Sequence, residues 1–583
     1  MELTRSRLAL TDYLVSLLKI TPPEIIDKVI YFIQGKLHPD YEGIELGLAE
    51  KTALRALSQS SGTSMASILE IYRKTGDIGD TAREVMSSKN QSTLYSEKMS
   101  VERVYLTLDK IALTTGTGSQ ELKIRLISSL LNDSTPRESR YIMKFVLGTL
   151  RLGIADNTVM DALAVAFTDN KSNRLILENA YNVSSDLGGL AKVLASQGIE
   201  SVKSIKITLY KPVRPMLAER VRNADEALQK MEGRAAAAEY KLDGERIQIH
   251  KGKDRVELFS RRLERITEHY PDITKAVSSL RKVNEAIFEG EVVAIDIQTS
   301  EFLPFQELMH RRRKYGIQEA MEGYPVILNI FDVLFFDGAT KTSVPYNLRR
   351  DLIRKIVGYN SKNSGIILLV PQSMVKNSEE IEKFMVSAIE SGCEGVMIKQ
   401  LTSLYRAGAR EYAWIKLKRE YRSDLADTLD LVIVGALYGR GRRVGKYGAL
   451  LLAAYDRVSD TFTTTCKVGT GFTDKHLEDF YNNLEKYRIN HKHARVDSRM
   501  EMDVWFEPRI VIEVIASEIT LSPSHTSAID SVRQNYGLAL RFPKFTGKIR
   551  EDKNPEDATT AEELIHLYKA QIRTVQKQKQ SQK

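Results

Sequence analysis

The sequence predicts a multidomain chain with an all-α N-terminal domain, an α+β middle domain and a small all-β barrel at the C-terminus. Three observations predict it. Apolar residues recur at spacings of three and four from the N-terminus to about Ile205, which is the helical period. After Lys211-Pro212-Val213-Arg214-Pro215 the texture changes to short β-rich runs separated by turn dipeptides, with a few helices between them. Beyond about Arg419 four strand-like runs follow one another, as a small barrel requires. A chain of 583 residues is too long for one core, and at about 150 residues per domain three or four domains are suggested, of which three is the working number. Their boundaries are read as 1–210, 211–418 and 419–583.

In the first region the clearest helix starts at Asp133-Ser134-Thr135-Pro136, a capping cluster with proline near the first turn. It runs through Ile142, Phe145, Val146 and Leu150 and is expected to end at Gly153. The next helix, through Val159, Leu163 and Phe167, has Asp156 and Asn157 available as caps. In the middle region Glu239-Tyr240-Lys241 and residues 246–249 flank Asp243-Gly244. Ile287-Phe288 and residues 292–295 likewise flank Glu289-Gly290-Glu291, and the apolar run 326–336 has the length of a buried strand. The barrel is expected from residues 429–437, 449–455, 462–468 and 509–515, with a basic, polar tail over 569–583 that frays.

Hydrophobic residues make up 42% of the chain and charged residues 28%, so each domain can bury a normal core. The net charge of +9 favours an anionic partner. Cys393 and Cys466 stand far apart without Cys or His at metal-ligand spacing, which excludes a zinc ribbon and a disulfide framework. No apolar run approaches the roughly 20 residues that span a bilayer, and residues 1–20 carry Arg5, Arg7 and Asp12 in place of a signal-peptide core. A cytoplasmic protein with no membrane partner is expected.

No Walker A loop is present, because Val444-Gly445-Lys446-Tyr447 lacks both the upstream glycine and the following Ser or Thr. Lys241 offers a different route to phosphate chemistry: it ends a strand, and the tight Asp243-Gly244 turn after it can hold the amine at the mouth of a cleft. A lysine attacks phosphorus only as the free amine, which needs its pKa brought down from about 10.4 by desolvation and nearby cations.

From about residue 90 to residue 560 the chain resembles the archaeal and eukaryotic type of ATP-dependent DNA ligase. Six nucleotidyltransferase motifs occur in family order. They are Lys241-Leu242-Asp243-Gly244, Ser260-Arg261-Arg262, Phe288-Glu289-Gly290-Glu291, Ile330-Phe331-Asp332, the run from Glu394 to Lys399, and Trp414-Ile415-Lys416-Leu417-Lys418. Residues 141–153 resemble the most recognisable part of the family's helical DNA-binding domain, and residues 430–435 with 439–443 resemble the opening of its C-terminal OB-fold. Arg541-Phe542-Pro543-Lys544-Phe545 and Arg550-Glu551-Asp552-Lys553 resemble motif VI, although Lys544 replaces a common arginine and residues 546–549 run about one residue long.

The resemblance implies a central adenylyltransferase domain and three phosphoryl transfers at one site. Lys241 takes AMP from ATP, AMP passes to the 5′-phosphate at a nick in duplex DNA, and the 3′-hydroxyl displaces it, as replication, repair and recombination require. It further implies that Glu239 accepts from the adenine amino group and that Phe331 stacks on the base. Arg246, Arg261 and Arg410 would bind the ribose and phosphate side, with Glu291 on the ribose or a metal. Glu394 would hold Mg²⁺, for which Mn²⁺ can substitute, and Lys416 and Lys418 would neutralise the α-phosphate. Arg550 and Lys553 would reach the pyrophosphate. A messenger-RNA capping enzyme or RNA ligase shares the lysine motif but does not account for the helical N-terminal domain, and a non-catalytic scaffold would not keep Lys241, Glu291, Glu394 and Lys416. Some archaeal members carry a Gln-led, doubly aromatic sliding-clamp motif near this chain's Gln91-Ser92-Thr93-Leu94-Tyr95, so a clamp contact through Gln91, Leu94 and Tyr95 is a further expectation, for a chain that works as a monomer.

Overall fold

The structure is a computed structural model that describes residues 4, 6–88, 98–150, 152–295, 302–303, 305–311, 316–360, 365–391, 393–418, 428–439, 445–516, 518–522, 524–541 and 543–580. The chain divides into two compact units, Met1–Leu417 and Lys418–Lys583, so the helical and α+β regions, expected as separate domains, share the first. Contacts across the proline pair account for this. The Arg214 guanidinium lies 4.5 Å over the Tyr181 ring and 3.4 Å from Asp156, and Ser185 Oγ donates to Pro212 O at 2.5 Å.

The elements described up to Lys203 are all helices and carry two apolar cores, one around Leu57, Ile127 and Met143 and one around Ile30, Leu163 and Leu190. Thr135 caps Pro136–Val146 as the sequence predicts: its hydroxyl accepts from Glu138 N while the Glu138 carboxylate accepts from Thr135 N. The helix ends earlier than expected. Gly148, at φ +63°, is the first glycine the helix meets, and its left-handed conformation stops the helix before Leu150 and Gly153 are reached. Nor do Asp156 and Asn157 cap Asp156–Thr168, whose N-cap is Ala155. Asp156 sits inside the first turn and instead accepts from Tyr181 (2.7 Å) and Gln34 (2.9 Å).

The α+β region contains two sheets. The first has the order Leu217–Arg220, Arg410–Lys418, Gly395–Gln400, Ala236–Lys241, Gln372–Val375. The second runs Val256–Ser260, Glu245–Lys251, Ala286–Ala294, Val326–Phe336, Ala339–Thr340, with Ile367–Leu369 parallel to 326–336. One apolar core draws Val396, Ile398 and Ile415 from the first sheet and Ile287, Val293 and Leu334 from the second, so it joins the two. Leu242-Asp243-Gly244 is where the chain passes from one sheet to the other. The turn read at Glu289-Gly290-Glu291 is instead the middle of one strand, Ala286–Ala294, with a register shift at Glu289/Gly290. A Cβ on Gly290 would come 2.7 Å from Leu328 Cδ1 and 3.0 Å from Asn329 O, so the glycine serves close strand packing.

His250 and Gln248 tie the proline segment to the second sheet. His250 Nδ1 accepts from Tyr210 N at 2.9 Å, and the Gln248 amide exchanges two hydrogen bonds with the Val213 backbone. Burial pushes the His250 imidazole down to about 3 from its ordinary 6.5. The folded pKa of this base is depressed, so the stability it contributes as the neutral ring is present above pH 6.5 and is lost as the pH falls toward 3. A His250→Gln variant is therefore expected to show a shallower fall of thermal midpoint than the parent between pH 6.5 and 4, measured by calorimetry in stepped buffers; parallel slopes would contradict the buried neutral histidine.

In the second unit a curled sheet has the order Arg488–Ile489, Val504–Phe506, Leu429–Tyr438, Tyr447–Asp456, Thr461–Val468, Val496–Asp497, with Val511–Ile515 bridging 429–438 to Lys544–Ile549. The four predicted barrel strands are all present. The unit is not purely β, because the helix Asp474–Leu484 packs Phe480 and Leu484 against the sheet core. The tail expected to fray lies largely within a helix, Ala561–Gln580. Its Gln571 side chain accepts from Ile519 N and donates to Ile519 O, which anchors residues that composition alone marks as loose. No helix among the described residues is long and apolar enough to cross a membrane.

Candidate active site

Lys241 ends its strand directly opposite Gly395. That register puts Glu394, the residue before the partner strand, beside the lysine. Glu394 N donates to Lys241 O at 2.9 Å, and its carboxylate Oε2 stands 2.5 Å from Lys241 Nζ. Both side chains keep some solvent contact, at 23% and 15% exposure. The turn that follows needs its glycine: a Cβ on Gly244 would meet Val292 O at 2.2 Å and Glu291 Cγ at 2.9 Å. Gly244 thereby lets the lysine turn lie against the strand that carries Glu291.

Glu291 is opposite Arg246 in the second sheet. Burial raises its carboxyl to about 7 against the pull of Lys241 and Arg246, while Glu394 and Asp243 add to the rise. Lys241, Glu291 and Glu394 thus feel one another in one site. Among the described residues no cluster of three or more His, Cys, Asp or Glu could hold a metal by itself, so an ion at these two carboxylates would need further ligands from water or substrate.

A pocket opens over this site, and eight residues expected from the sequence line it: Glu239, Lys241, Arg246, Arg261, Glu291, Phe331, Arg410 and Lys416. Lys416 and Arg410 share one face of Arg410–Lys418; Lys418, further along, is not part of the lining. Glu394 is not part of it either and belongs to the site through Lys241. Arg261 and Arg410 are exposed, and neither side chain has an ion-pair partner among the described residues, which leaves two cations for an incoming anion.

Three expected roles look different in the structure. Glu239, read as an open acceptor, is almost fully buried and already engaged: Lys399 Nζ lies 2.5 Å away and Arg350 3.2 Å, and the Tyr346 hydroxyl donates to it. Arg246 is likewise held, donating to Glu289 (2.8 Å) and Met216 O (2.9 Å) beneath Phe331 and Trp414. Phe331 is both core and wall: it is 8% exposed, packs in the inter-sheet core, and has Lys399 Nζ 4.6 Å from its ring centre. Lys399, readable in the sequence as half of a surface pair with Glu394, is a buried cation whose pKa is lowered by desolvation against the pull of Glu239.

Lys399 and Trp414 stand in motifs that carry the resemblance but were given no role there, and Tyr346 and Arg350 were not named by sequence reasoning. A lysine inside the apolar run Val396-Met397-Ile398-Lys399 was the one available signal. Tyr346 and Arg350 arrive from a helix more than a hundred residues after Glu239, and nothing local announces them. Arg550 and Lys553 lie in the second unit, where Asp430 holds both, at 2.6 and 2.8 Å, and Asp552 also pairs with Arg550. Gln91, Leu94 and Tyr95 lie outside the described residues.

Comparisons with known proteins cover the same ground. Residues 1–164 match the family model described as DNA ligase N terminus, 215–418 that of the ATP dependent DNA ligase domain, and 443–553 that of the ATP dependent DNA ligase C terminal region. The DNA ligase of Nitrosopumilus maritimus is 54% identical over 571 residues, covering 98% of this chain and 96% of that protein. The DNA ligase of Cenarchaeum symbiosum is 54% identical over 575 residues (99% and 97% covered), and DNA ligase 2 of Thermofilum pendens 51% over 586 residues (99% and 97%). With about half of all positions identical along the whole length, and with Lys241, Glu291, Arg261 and Arg410 lining one pocket and Glu394 beside the lysine, the chain belongs to the family of ATP-dependent DNA ligases.

Proposed function

We propose that Lys241 is the residue of this ATP-dependent enzyme that carries AMP, and that the chain seals nicks in duplex DNA in replication, repair and recombination. The observation that carries the reading is the pairing of Lys241 with Glu394 at the edge of a pocket that also holds Glu291 and two arginines, Arg261 and Arg410, without an ion-pair partner among the described residues. Lys241 Nζ forms a bond to the α-phosphorus of ATP, the bond from that phosphorus to the bridging oxygen breaks, pyrophosphate leaves with the electron pair, and the amine proton passes to solvent. The 5′-phosphate oxygen at a nick then displaces the lysine from phosphorus, and the 3′-hydroxyl finally displaces AMP.

Negative charge accumulates on phosphoryl oxygens in every step, so cations do most of the work. Arg261, Arg410 and Lys416 supply it from the pocket wall, with Lys418 beyond them, while Glu239 and Phe331 shape the base end. Glu291 and Glu394 are hard oxygen donors suited to Mg²⁺ or Mn²⁺, which when bound would neutralise phosphate charge. Arg550 and Lys553 would serve pyrophosphate departure only after giving up part of their hold on Asp430. The helical region suits duplex binding through phosphates, and ATP as substrate favours a cytoplasmic setting. A clamp contact through Gln91, Leu94 and Tyr95 and a monomeric working state complete the reading.

Incubation with ATP and Mg²⁺ followed by peptide mass spectrometry should find one added AMP, on the peptide containing Lys241, and excess chelator should abolish the label. An adduct on another lysine, or an undiminished label with metal removed, would overturn the corresponding assignment.

A further inference from the structure

Two residues that line the Lys241 pocket each carry a buried side-chain N–H that makes no hydrogen bond among the described residues: Trp414 at Nε1 and Arg246 at Nε. The remaining nitrogens of Arg246 are directed to Glu289 and Met216 O, which fixes the guanidinium and with it the unmet Nε–H. Trp414 is 1% exposed and sits in the strand Arg410–Lys418, two residues before Lys416. Its ring is boxed by the edges of Phe331 (6.2 Å) and Tyr405 (5.9 Å), with Lys399 Nζ 4.2 Å from its centre. A buried indole N–H ordinarily finds an acceptor, and leaving it without one penalises the folded state. Apolar packing at this position has no need of a nitrogen. In a pocket wall the missing acceptor is one that a ligand brings, and a site built with such a donor discriminates against ligands that lack the matching atom.

We infer that Trp414 is a specificity-determining residue of this enzyme, its indole Nε1–H donating to an acceptor on the nucleoside of the bound nucleotide, either the ribose 2′-oxygen or the ring nitrogen N3. The inference rests on the Lys241 pocket being the nucleotide site. It gives the strand Arg410–Lys418 two functions on one face, with Arg410 and Lys416 for charge and Trp414 for the neutral part of the ligand.

The chain has two tryptophans, Trp414 and Trp505, so Trp505→Phe leaves Trp414 as the only indole reporter. In a Trp505→Phe, Lys241→Ala background, where binding stays non-covalent, titration with ATP should shift the emission of Trp414. Trp414→Phe keeps the aromatic packing and removes only the donor. It should raise the KM for ATP in self-adenylylation by about tenfold, the loss of one hydrogen bond, with kcat within about twofold. Its thermal midpoint should not fall. Of 2′-deoxy-ATP and 3-deaza-ATP, the analogue lacking the acceptor should cost the parent enzyme a similar factor and Trp414→Phe little more. Unchanged KM in Trp414→Phe with Lys241 still labelled would overturn the inference and leave the pocket reading intact, as would full additivity with both analogues, or a midpoint and kcat that fall together. Failure of the pocket reading looks different: no label on Lys241 and no change in Trp414 emission.

Discussion

Lys241→Ala should abolish self-adenylylation, with labelling by α-labelled ATP falling by at least about a thousandfold: of the other two lysines that line the pocket, Lys399 is committed to the buried Glu239, and Lys416 serves to neutralise the α-phosphate. Lys241→Arg should fail equally, since a guanidinium stays protonated and offers no lone pair for phosphorus. The defect should be confined to the first transfer. Nicked-duplex binding should survive, because phosphate contacts are spread over other residues, and a nick that already bears AMP should still be joined. The fold should also tolerate the change: Lys241 and Glu394 keep solvent contact, so their pair contributes on the order of 1 kcal/mol or less. Retained labelling in Lys241→Ala would remove the nucleophile assignment. Loss of joining on the pre-adenylylated nick would show instead that Lys241, or the Glu394 it pairs with, acts in the later transfers too.

The parts of this site that were legible in the sequence are those that local chemistry dictates. The strand over Val326–Phe336 ends where its apolar run ends, and the turn after Lys241 follows from Asp243-Gly244. Lys241, Glu291 and Arg261 could be placed at one pocket because each sits in a motif whose order is itself a pattern, and Arg410 because it stands four residues before the last of those motifs. What could not be read is how charges pair across the fold. Glu239 looked like a free carboxylate since its neutralising partners, Lys399 and Arg350, are 160 and 111 positions away in the chain and meet it only through sheet register and a packed helix. Local rules also failed where two of them competed. Gly290 is a turn residue by composition and a packing residue in fact, because the neighbouring strand approaches too closely for a side chain. Gly148 stopped a helix whose apolar spacing continued beyond it. The tail helix Ala561–Gln580 is held by tertiary contacts that no composition could foretell, Leu564 buried in the core of the second unit and Gln571 on the Ile519 backbone.

Arg349→Leu is expected to be the most destabilising single change in the first unit. Asp332 lies next to Phe331 on the strand Val326–Phe336, and both its carboxylate oxygens are met by Arg349, at 2.7 Å from Nε and 2.9 Å from Nη2. The two side chains are fully buried, and Arg349 Nη1 also donates to Val344 O and Ser403 O. Removing the guanidinium leaves a buried carboxylate without its hydrogen-bonded counter-charge and the Val344 carbonyl without its donor, while Ser403 O keeps Tyr346 N, a loss of about 3 to 5 kcal/mol. The pair itself contributes far less than that, because both charges lost their hydration on folding. Arg349→Leu combined with Asp332→Leu should therefore recover much of the thermal midpoint lost by Arg349→Leu alone, in calorimetry of the whole chain. A double variant no more stable than the single one would show that Arg349 acts chiefly through the Val344 and Ser403 carbonyls, which hold the start of the helix Tyr346–Asn360, and not through the charge on Asp332.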